Sequence, residues 1–211
     1  MDKIELDAIL SRIGTLKIYA NKQMIYRQME EPSGFYFIRN GKVRNYIVTE
    51  DGKEKTCTIS IDEEFFGLAF FFDDGLNDTS AHAMEKSEIY IIENDGMEHL
   101  YRNEHNVIVL ILKSMAQKMR FLSFQMTCLA FLSADQKITQ MLAHLAERFY
   151  KSDSSQITLN CTHEDIALLS STSRTTVTQV LNDLERRQLI SKGYRSIIIH
   201  DLETIKKNIS E

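Results

Sequence analysis

The sequence predicts an α+β chain: an antiparallel β-roll, then one long helix, then a helix-turn-helix followed by a hairpin wing. Three observations carry this reading. Residues 22–93 alternate with a period near two and are cut by Asn-Gly and Asp-Gly pairs. Residues 108–129 hold an unbroken apolar repeat with alternating spacings of four and three. Residues 162–200 place two short helical patterns and a glycine-bearing hairpin in one segment. The implied division is a roll over 1–104, a long helix over 105–132 and the helix-turn-helix segment over 133–211.

Composition agrees with a globular protein. The 211 residues are 43% hydrophobic and 26% charged, with 8 Gly and 1 Pro, which excludes disordered and collagen-like chains. No run approaches the ~18 consecutive apolar residues of a membrane helix. The start MDKIELDAIL is acidic where a secretion signal is basic and then apolar, so the expected compartment is the cytoplasm, with no membrane partner. The net charge of −5 argues at first against nucleic acid, but it is unevenly spread. Residues 1–132 carry 15 basic and 20 acidic groups, whereas 133–211 carry 10 of each. Within 170–200, Arg174, Arg186, Arg187, Lys192 and Arg195 outnumber Asp183 and Glu185, a local +3. Cys57, Cys128 and Cys161 are odd in number and scattered, which suits neither a disulfide framework nor a zinc site.

The elements follow in order. Leu6, Ile9, Leu10 and Ile13 have helical spacing, and Gly14 ends that helix. Short β-rich runs FYFI (35–38), VRNYIV (43–48), TCTIS (56–60) and EIYII (88–92) alternate with the turn signals Asn40-Gly41, Asp51-Gly52 and Asp74-Gly75. A long helix begins near 103–106. Its residues Ile108, Leu112, Met115, Met119, Leu122, Met126 and Leu129 form a heptad seam that calls for a partner helix, a second copy of the chain being the natural one. A second row, Leu110, Phe121, Phe124 and Phe131, is free to pack on the roll. Ser133 caps a helix that starts at Ala134 and carries Ile138, Met141, Leu142, Leu145 and Phe149, and 151–156 is a polar loop.

The stretch 162–200 is the most informative. Thr162 or His163 caps a helix over Glu164–Leu169, Ser170–Ser173 turn the chain, and a second helix runs from Arg174 to about Arg187. Ile166, Leu169, Val177, Val180, Leu181 and Leu184 supply a small core. The outward residues of the second helix, Arg174, Thr175, Thr178, Gln179 and Asn182, are types that address base edges and phosphates. Arg pairs with guanine through two hydrogen bonds and Gln with adenine, which points to double-stranded DNA. Ser191 to Arg195 leads into Ser196–His200, a wing whose tip carries Lys192 and Arg195 for the phosphate backbone.

The order of roll, long helix, LAFL (129–132), SR-x-TV (173–177) and LI-S with the Gly193 hairpin, together with Gly41, Gly52 and Gly67, resembles the cyclic-AMP receptor and fumarate-nitrate regulator (Crp/Fnr) superfamily over nearly the whole chain. The resemblance implies a cyclic-nucleotide-binding-like jelly-roll sensor, a dimerisation helix and a winged helix-turn-helix. It also implies a homodimeric transcription regulator acting on an inverted-repeat operator, meeting RNA polymerase if it activates. Its effector would lie between the roll and the dimer helix. By the same resemblance Ser173, Arg174, Thr175, Thr176 and Gln179 fall on DNA-contacting positions.

Departures narrow the reading. Cyclic-AMP-binding relatives follow the helix-opening Arg with a Glu and place a second Arg four residues later; here Thr175 and Gln179 stand instead, so the operator differs. Their phosphate-binding cassette has Gly-Glu and, ten residues on, an Arg followed by a small hydroxyl residue. Here Gly67-Leu68 and Asp78-Thr79 occupy those places. Leu68 offers ribose no acceptor, and an Asp in place of the Arg repels phosphate by about 4 kcal/mol at roughly 4 Å in a dielectric near 20. On the long helix Leu122 stands where a hydroxyl would meet the base, beside a retained Ser123. Cyclic AMP is therefore not expected. Residues 1–56 hold no cysteine for an iron–sulfur cluster, and the six isolated histidines argue against haem or a roll-borne metal site.

What remains around Gly67 is aromatic: Phe65, Phe66, Leu68, Phe70, Phe71 and Phe72, facing Leu122. Two readings stay open, rings that fill the roll core and leave DNA binding independent of any effector, or a cavity for an apolar or aromatic small molecule. A thiol switch at Cys128, beside the seam, is a third. The sequence has no nucleophile–base pattern, metal-ligand spacing or phosphate loop, and the acidic runs at 62–64 and 73–74 read as solvated turns, so no enzyme is expected. The best rival from another class is a protein-interaction module with a vestigial helix-turn-helix.

Overall fold

The structure is a computed structural model that describes residues 2–73, 75–149 and 157–207. The expected loop at 151–156, the turn residue Asp74 and the side chains of Phe70 and Phe149 lie outside the described residues. The chain divides into two compact units, Met1–Leu122 and Ser123–Glu211. The division falls inside the long helix rather than at its ends, because residues up to Leu122 belong with the roll.

The first unit opens with α1 (Lys3–Ile13), whose first turn is held by Asp2 Oδ1 accepting the Glu5 N–H at 2.8 Å. Eight strands follow: β1 (Thr15–Tyr19), β2 (Met24–Tyr26), β3 (Phe35–Asn40), β4 (Lys42–Val48), β5 (Glu54–Ile61), β6 (Phe65–Phe66), β7 (Ser80–Ala83) and β8 (Ser87–Ile92). They form two antiparallel sheets, ordered β1-β8-β3-β6 and β2-β7-β4-β5. A short helix α2 (Leu68–Phe72) follows β6, and α3 (Asn94–Asn103) leads into α4 (His105–Phe131). The sequence reading missed α3: in NDGMEHLYRN only Gly96, Met97 and Leu100 are buried, too few to mark an apolar face.

Asp51-Gly52 closes the β4–β5 hairpin as expected, with Val48 opposite Glu54. Asn40-Gly41 does something else. It carries the chain from one sheet to the other, since β3 and β4 are not paired. Gly41 takes φ of 122°, donates its N–H to Asp62 Oδ1 at 2.6 Å, and has Ser87 where a side chain would project, so no other residue fits that corner.

Strands β3 and β8 at the middle of the β1-β8-β3-β6 sheet are covered on both faces, while edge strand β1 is largely exposed, which explains why Phe35 to Ile38 are all buried although they alternate. Phe35, Phe37, Phe65, Tyr90 and Ile92 pack against Leu6, Ile9 and Leu10 of α1, Met97 and Leu100 of α3, and Val107 and Ile111 of α4. Tyr36, Ile38, Phe66 and Ile89 face the other sheet and meet Tyr26, Val43, Ala81 and Ala83.

The second unit holds the end of α4, then α5 (Ala134–Phe149), β9 (Ile157–Leu159), α6 (His163–Ser170), α7 (Arg174–Arg186), β10 (Ile190–Gly193), β11 (Ser196–Ile199) and α8 (Leu202–Lys207). The strands form one antiparallel sheet, β10-β11-β9. Ser133 caps α5, accepting the Gln136 N–H at 3.4 Å. The end of α4 is tied into this unit by Gln125, which donates to the Leu169 carbonyl at 3.3 Å, and by Phe124, stacked on His144 at 4.6 Å.

Candidate nucleic-acid interface

The two helices of the motif are closed by side-chain caps. Thr162 Oγ1 accepts the Asp165 N–H at 3.1 Å while Asp165 Oδ2 accepts the Thr162 N–H at 2.8 Å, a reciprocal box that starts α6. Ser171 takes a left-handed conformation, φ 55°, and ends it. Ser173 then caps α7, accepting the Thr176 N–H at 3.0 Å, with its hydroxyl 2.8 Å from that of Thr176. Ile166, Leu169, Val177, Leu181 and Leu184 are buried, and Val180 is half-buried. This core fixes which face of α7 is turned out.

On that face Arg174, Thr175 and Gln179 are exposed, and their side chains make no hydrogen bond or ion pair among the described residues. Thr178 is different. Its hydroxyl donates to the Arg174 carbonyl at 3.0 Å and meets His163 Nδ1 at 2.9 Å, so it braces the helix start. Burial first, then the charges of Lys192 and Arg174, push the His163 pKa below its usual value, a sign of the positive potential at this edge.

The wing is β10 and β11, with Gly193 opposite Ser196. Here the structure revises the reading of Lys192. Its ammonium is 2.8 Å from Glu185 and also bonds the Asn182 side chain, so it ties the wing to α7 rather than reaching out from the tip. The tip presents Arg195, φ 52°, and Tyr194, which is 93% exposed. The sequence reading passed over Tyr194; an aromatic residue between Gly193 and Arg195 was the available signal.

The helix seam separates into two sets. Leu112, Met119, Leu122, Met126 and Leu129 are between 45% and 69% exposed, while Ile108 and Met115 pack partly on the roll. Of the second row, which was free to pack on the roll, Leu110 packs partly on it and Phe121 is buried, whereas Phe124 stacks on His144 and Phe131 is 80% exposed. Cys128 is buried, and burial raises its thiol pKa, so it is not presented on the exposed seam.

A model of the cyclic nucleotide-binding domain matches residues 16–104, and one of the Crp-like helix-turn-helix domain matches residues 136–207. The chain belongs to the Crp/Fnr family of transcription regulators. It is 28% identical over 186 residues to the cAMP-activated global transcriptional regulator CRP of Pasteurella multocida, covering 86% of this chain and 88% of that one. It is 25% identical over 185 residues to a CRP-like cAMP-activated global transcriptional regulator of Mycobacterium tuberculosis, covering 87% and 83%. In fold it is similar to FixK2 from Bradyrhizobium japonicum, with a TM-score of 0.77 and 19% identity over 92% of this chain and 96% of that one. A CooA mutant from Carboxydothermus hydrogenoformans gives 0.79 and 21% identity over 96% and 90%.

In this Crp/Fnr chain the residues matching the effector cassette do not converge. Gly67 takes φ of 69°, and a side chain there would press on the Tyr36 ring. Thr79 hydrogen-bonds the Tyr26 phenol, whose pKa burial raises. Leu68 is instead buried in the cluster on the helix side of the sheet, Asp78 is exposed, and neither Leu122 nor Ser123 is covered. Phe65 and Phe66 are buried core residues, Phe66 stacking on Tyr36 at 4.9 Å, and Phe71 packs edge-on to Phe35 at 5.3 Å. Leu122 therefore does not face these rings. The α4 residue that reaches into the roll is Lys118, whose Nζ donates to Ser60 Oγ at 2.9 Å. The sequence reading did not single it out. Among the described residues no helix is long and apolar enough to cross a membrane, and no cluster of His, Cys, Asp and Glu is arranged to hold a metal.

Proposed function

We propose that the chain acts as a homodimer that reads an inverted-repeat operator in double-stranded DNA. The observation that carries this is the start of α7, where Arg174, Thr175 and Gln179 project unpaired beside a capped helix N-terminus. Dimerisation is supported by the exposed stripe Leu112, Met119, Leu122, Met126 and Leu129 on α4, apolar area that a second copy would cover. The two α7 helices would then enter major grooves about 34 Å apart. A selection from random DNA should return inverted repeats containing guanine in each half-site; only asymmetric sites would contradict the reading. Action on DNA assigns the cytoplasm, and an activating role would bring RNA polymerase as a partner.

Control comes from a small molecule in the roll other than a cyclic nucleotide. Leu68 has no acceptor for ribose and is buried, and Asp78 is anionic where phosphate would need a cation. Isothermal titration with cyclic AMP and cyclic GMP should show no micromolar binding; such binding would overturn this part. A second reading, regulation without an effector, is favoured by Phe65, Phe66 and Leu68 filling the core. Thiol control at Cys128 gains nothing from its burial.

A further inference from the structure

The wing is braced along the side of α7 by polar contacts as well as by its apolar face. Glu185 of α7 accepts the Lys192 backbone N–H at 3.1 Å through Oε1 and the Lys192 ammonium at 2.8 Å through Oε2. The same ammonium bonds the side chain of Asn182, one of the outward residues of α7. Ile190, Ile197 and Ile199 of the hairpin are buried. The charges of Lys192 and Arg174 both act on His163, so the wing and the start of α7 share one edge of the unit.

The tip departs from the usual chemistry of a tight hairpin. Gly193 and Ser196 are paired, which leaves a two-residue loop, Tyr194-Arg195. Loops of this length favour Asn-Gly and Asp-Gly, because a central residue must take positive φ. Here Arg195 takes it, at 52°. The glycine stands one place before the loop, where a side chain would come within 2.5 Å of Ser196 Oγ. Tyr194 is 93% exposed and makes no hydrogen bond or ring contact among the described residues. An aromatic ring held in solvent adds nothing to folding, and it gains free energy where a partner covers it.

A helix with its side chains is about 10–12 Å across and the major groove about 12 Å wide. A hairpin packed beside α7 therefore lies outside that groove, over the phosphate backbone that bounds it, and beyond this backbone is the minor groove. We propose that Tyr194 is a second specificity residue. Its ring enters the minor groove bordering each half-site, its hydroxyl donates to adenine N3 or thymine O2 on the groove floor, and Arg195 faces the phosphates. At a G·C pair the guanine 2-amino group stands on that floor and keeps the ring out, so A·T is preferred there. The proposal rests on α7 docking in the major groove and adds flanking base pairs that α7 itself does not reach.

The test uses the full chain and its selected operator, with each base pair flanking the half-sites set in turn to A·T, G·C or inosine·cytosine. Inosine lacks the 2-amino group, so its pair resembles A·T in the minor groove and G·C in the major groove. At one or two flanking positions A·T and inosine·cytosine should bind alike, and G·C about fivefold or more weaker. Tyr194→Ala should bind all three alike, at the level of G·C. Tyr194→Phe should keep the discrimination, because its ring still meets the 2-amino group. An unchanged guanine preference within the half-site shows that Tyr194→Ala is folded. If inosine·cytosine behaves as G·C, or if Tyr194→Ala still discriminates, the proposal fails. The same titrations separate the two ideas. No base preference within the half-site of the parent chain would end base reading by α7, whereas half-site preference with indifferent flanks would end the role of Tyr194 alone.

Discussion

The roll and the winged helix-turn-helix each carry polar side chains at unusual places, turned inward in the one and outward in the other. On α7 the informative residues, Arg174, Thr175 and Gln179, face solvent on a helix whose other face is an ordinary apolar stripe. In the roll the informative residue, Lys118, faces inward from a stripe that is otherwise mostly buried. An outward polar row stands out against the helical period, and the caps at Thr162 and Ser173 mark its start. An inward lysine looks like a break in the pattern and is read as surface.

The largest effect should come from the neighbouring stripe of α4. Met119→Glu puts a charge in the exposed seam while leaving Lys118 in place. Sedimentation should show monomer, and operator affinity should fall about 100-fold or more, since two linked half-site contacts become one. A dimer of unchanged strength would mean that the exposed stripe is not the interface, and that the inward and outward faces of α4 have not been correctly separated.

Lys118→Met probes the inward face of the same helix. Replacing this half-buried cation, which has no ion-pair partner among the described residues, by an apolar side chain of similar length should raise unfolding free energy by about 1 kcal/mol in denaturant melts. Loss of stability would mean that the hydrogen bond to the buried Ser60 hydroxyl outweighs the cost of desolvating the ammonium. Within the wing the two cations should separate as well. Arg195→Ala should weaken operator and unrelated DNA alike and reduce the salt dependence by about one phosphate contact. Lys192→Ala, whose ammonium is held by Glu185, should change the salt slope less and lower stability slightly.

The smallest effect concerns pH. Burial depresses the pKa values of His82, His144 and His163 below the usual 6.5. The unfolded chain takes up those protons first, so stability is complete above about pH 6.5 and declines as pH falls through the lower folded values. His163→Gln should flatten part of that decline. For operator binding the sign reverses at His163, because phosphate close to Arg174 and Lys192 would favour the imidazolium.

Much of this architecture was legible in the sequence. The motif at 162–200 was read nearly to its ends, because caps, an apolar core and turn residues all agree there. The exposed seam was legible because five of its seven residues have no other place to go. The roll was harder. FYFI looks like an ordinary strand, but it is covered on both faces, so Phe65 and Leu68 went to the helix side and Phe66 to the side of the second sheet. The expected pocket around Gly67 and Leu122 therefore separated into buried core and exposed helix. Alternation says which residues share a face, not which of two buried faces they share. Ion pairs at a distance of several residues, such as Lys192 with Glu185, are likewise set by the packing of a hairpin on a helix and are invisible to a local pattern.

Sequence-specific regulation by this chain requires that α7 read bases rather than merely rest on DNA. The direct measurement is the affinity of Arg174→Ala for a selected operator and for a scrambled duplex of the same length, at one salt concentration. Base reading predicts a loss of about 1–3 kcal/mol on the operator, a much smaller loss on the scrambled duplex, and relaxed preference at the guanine it contacts. Equal losses on the two duplexes would contradict it.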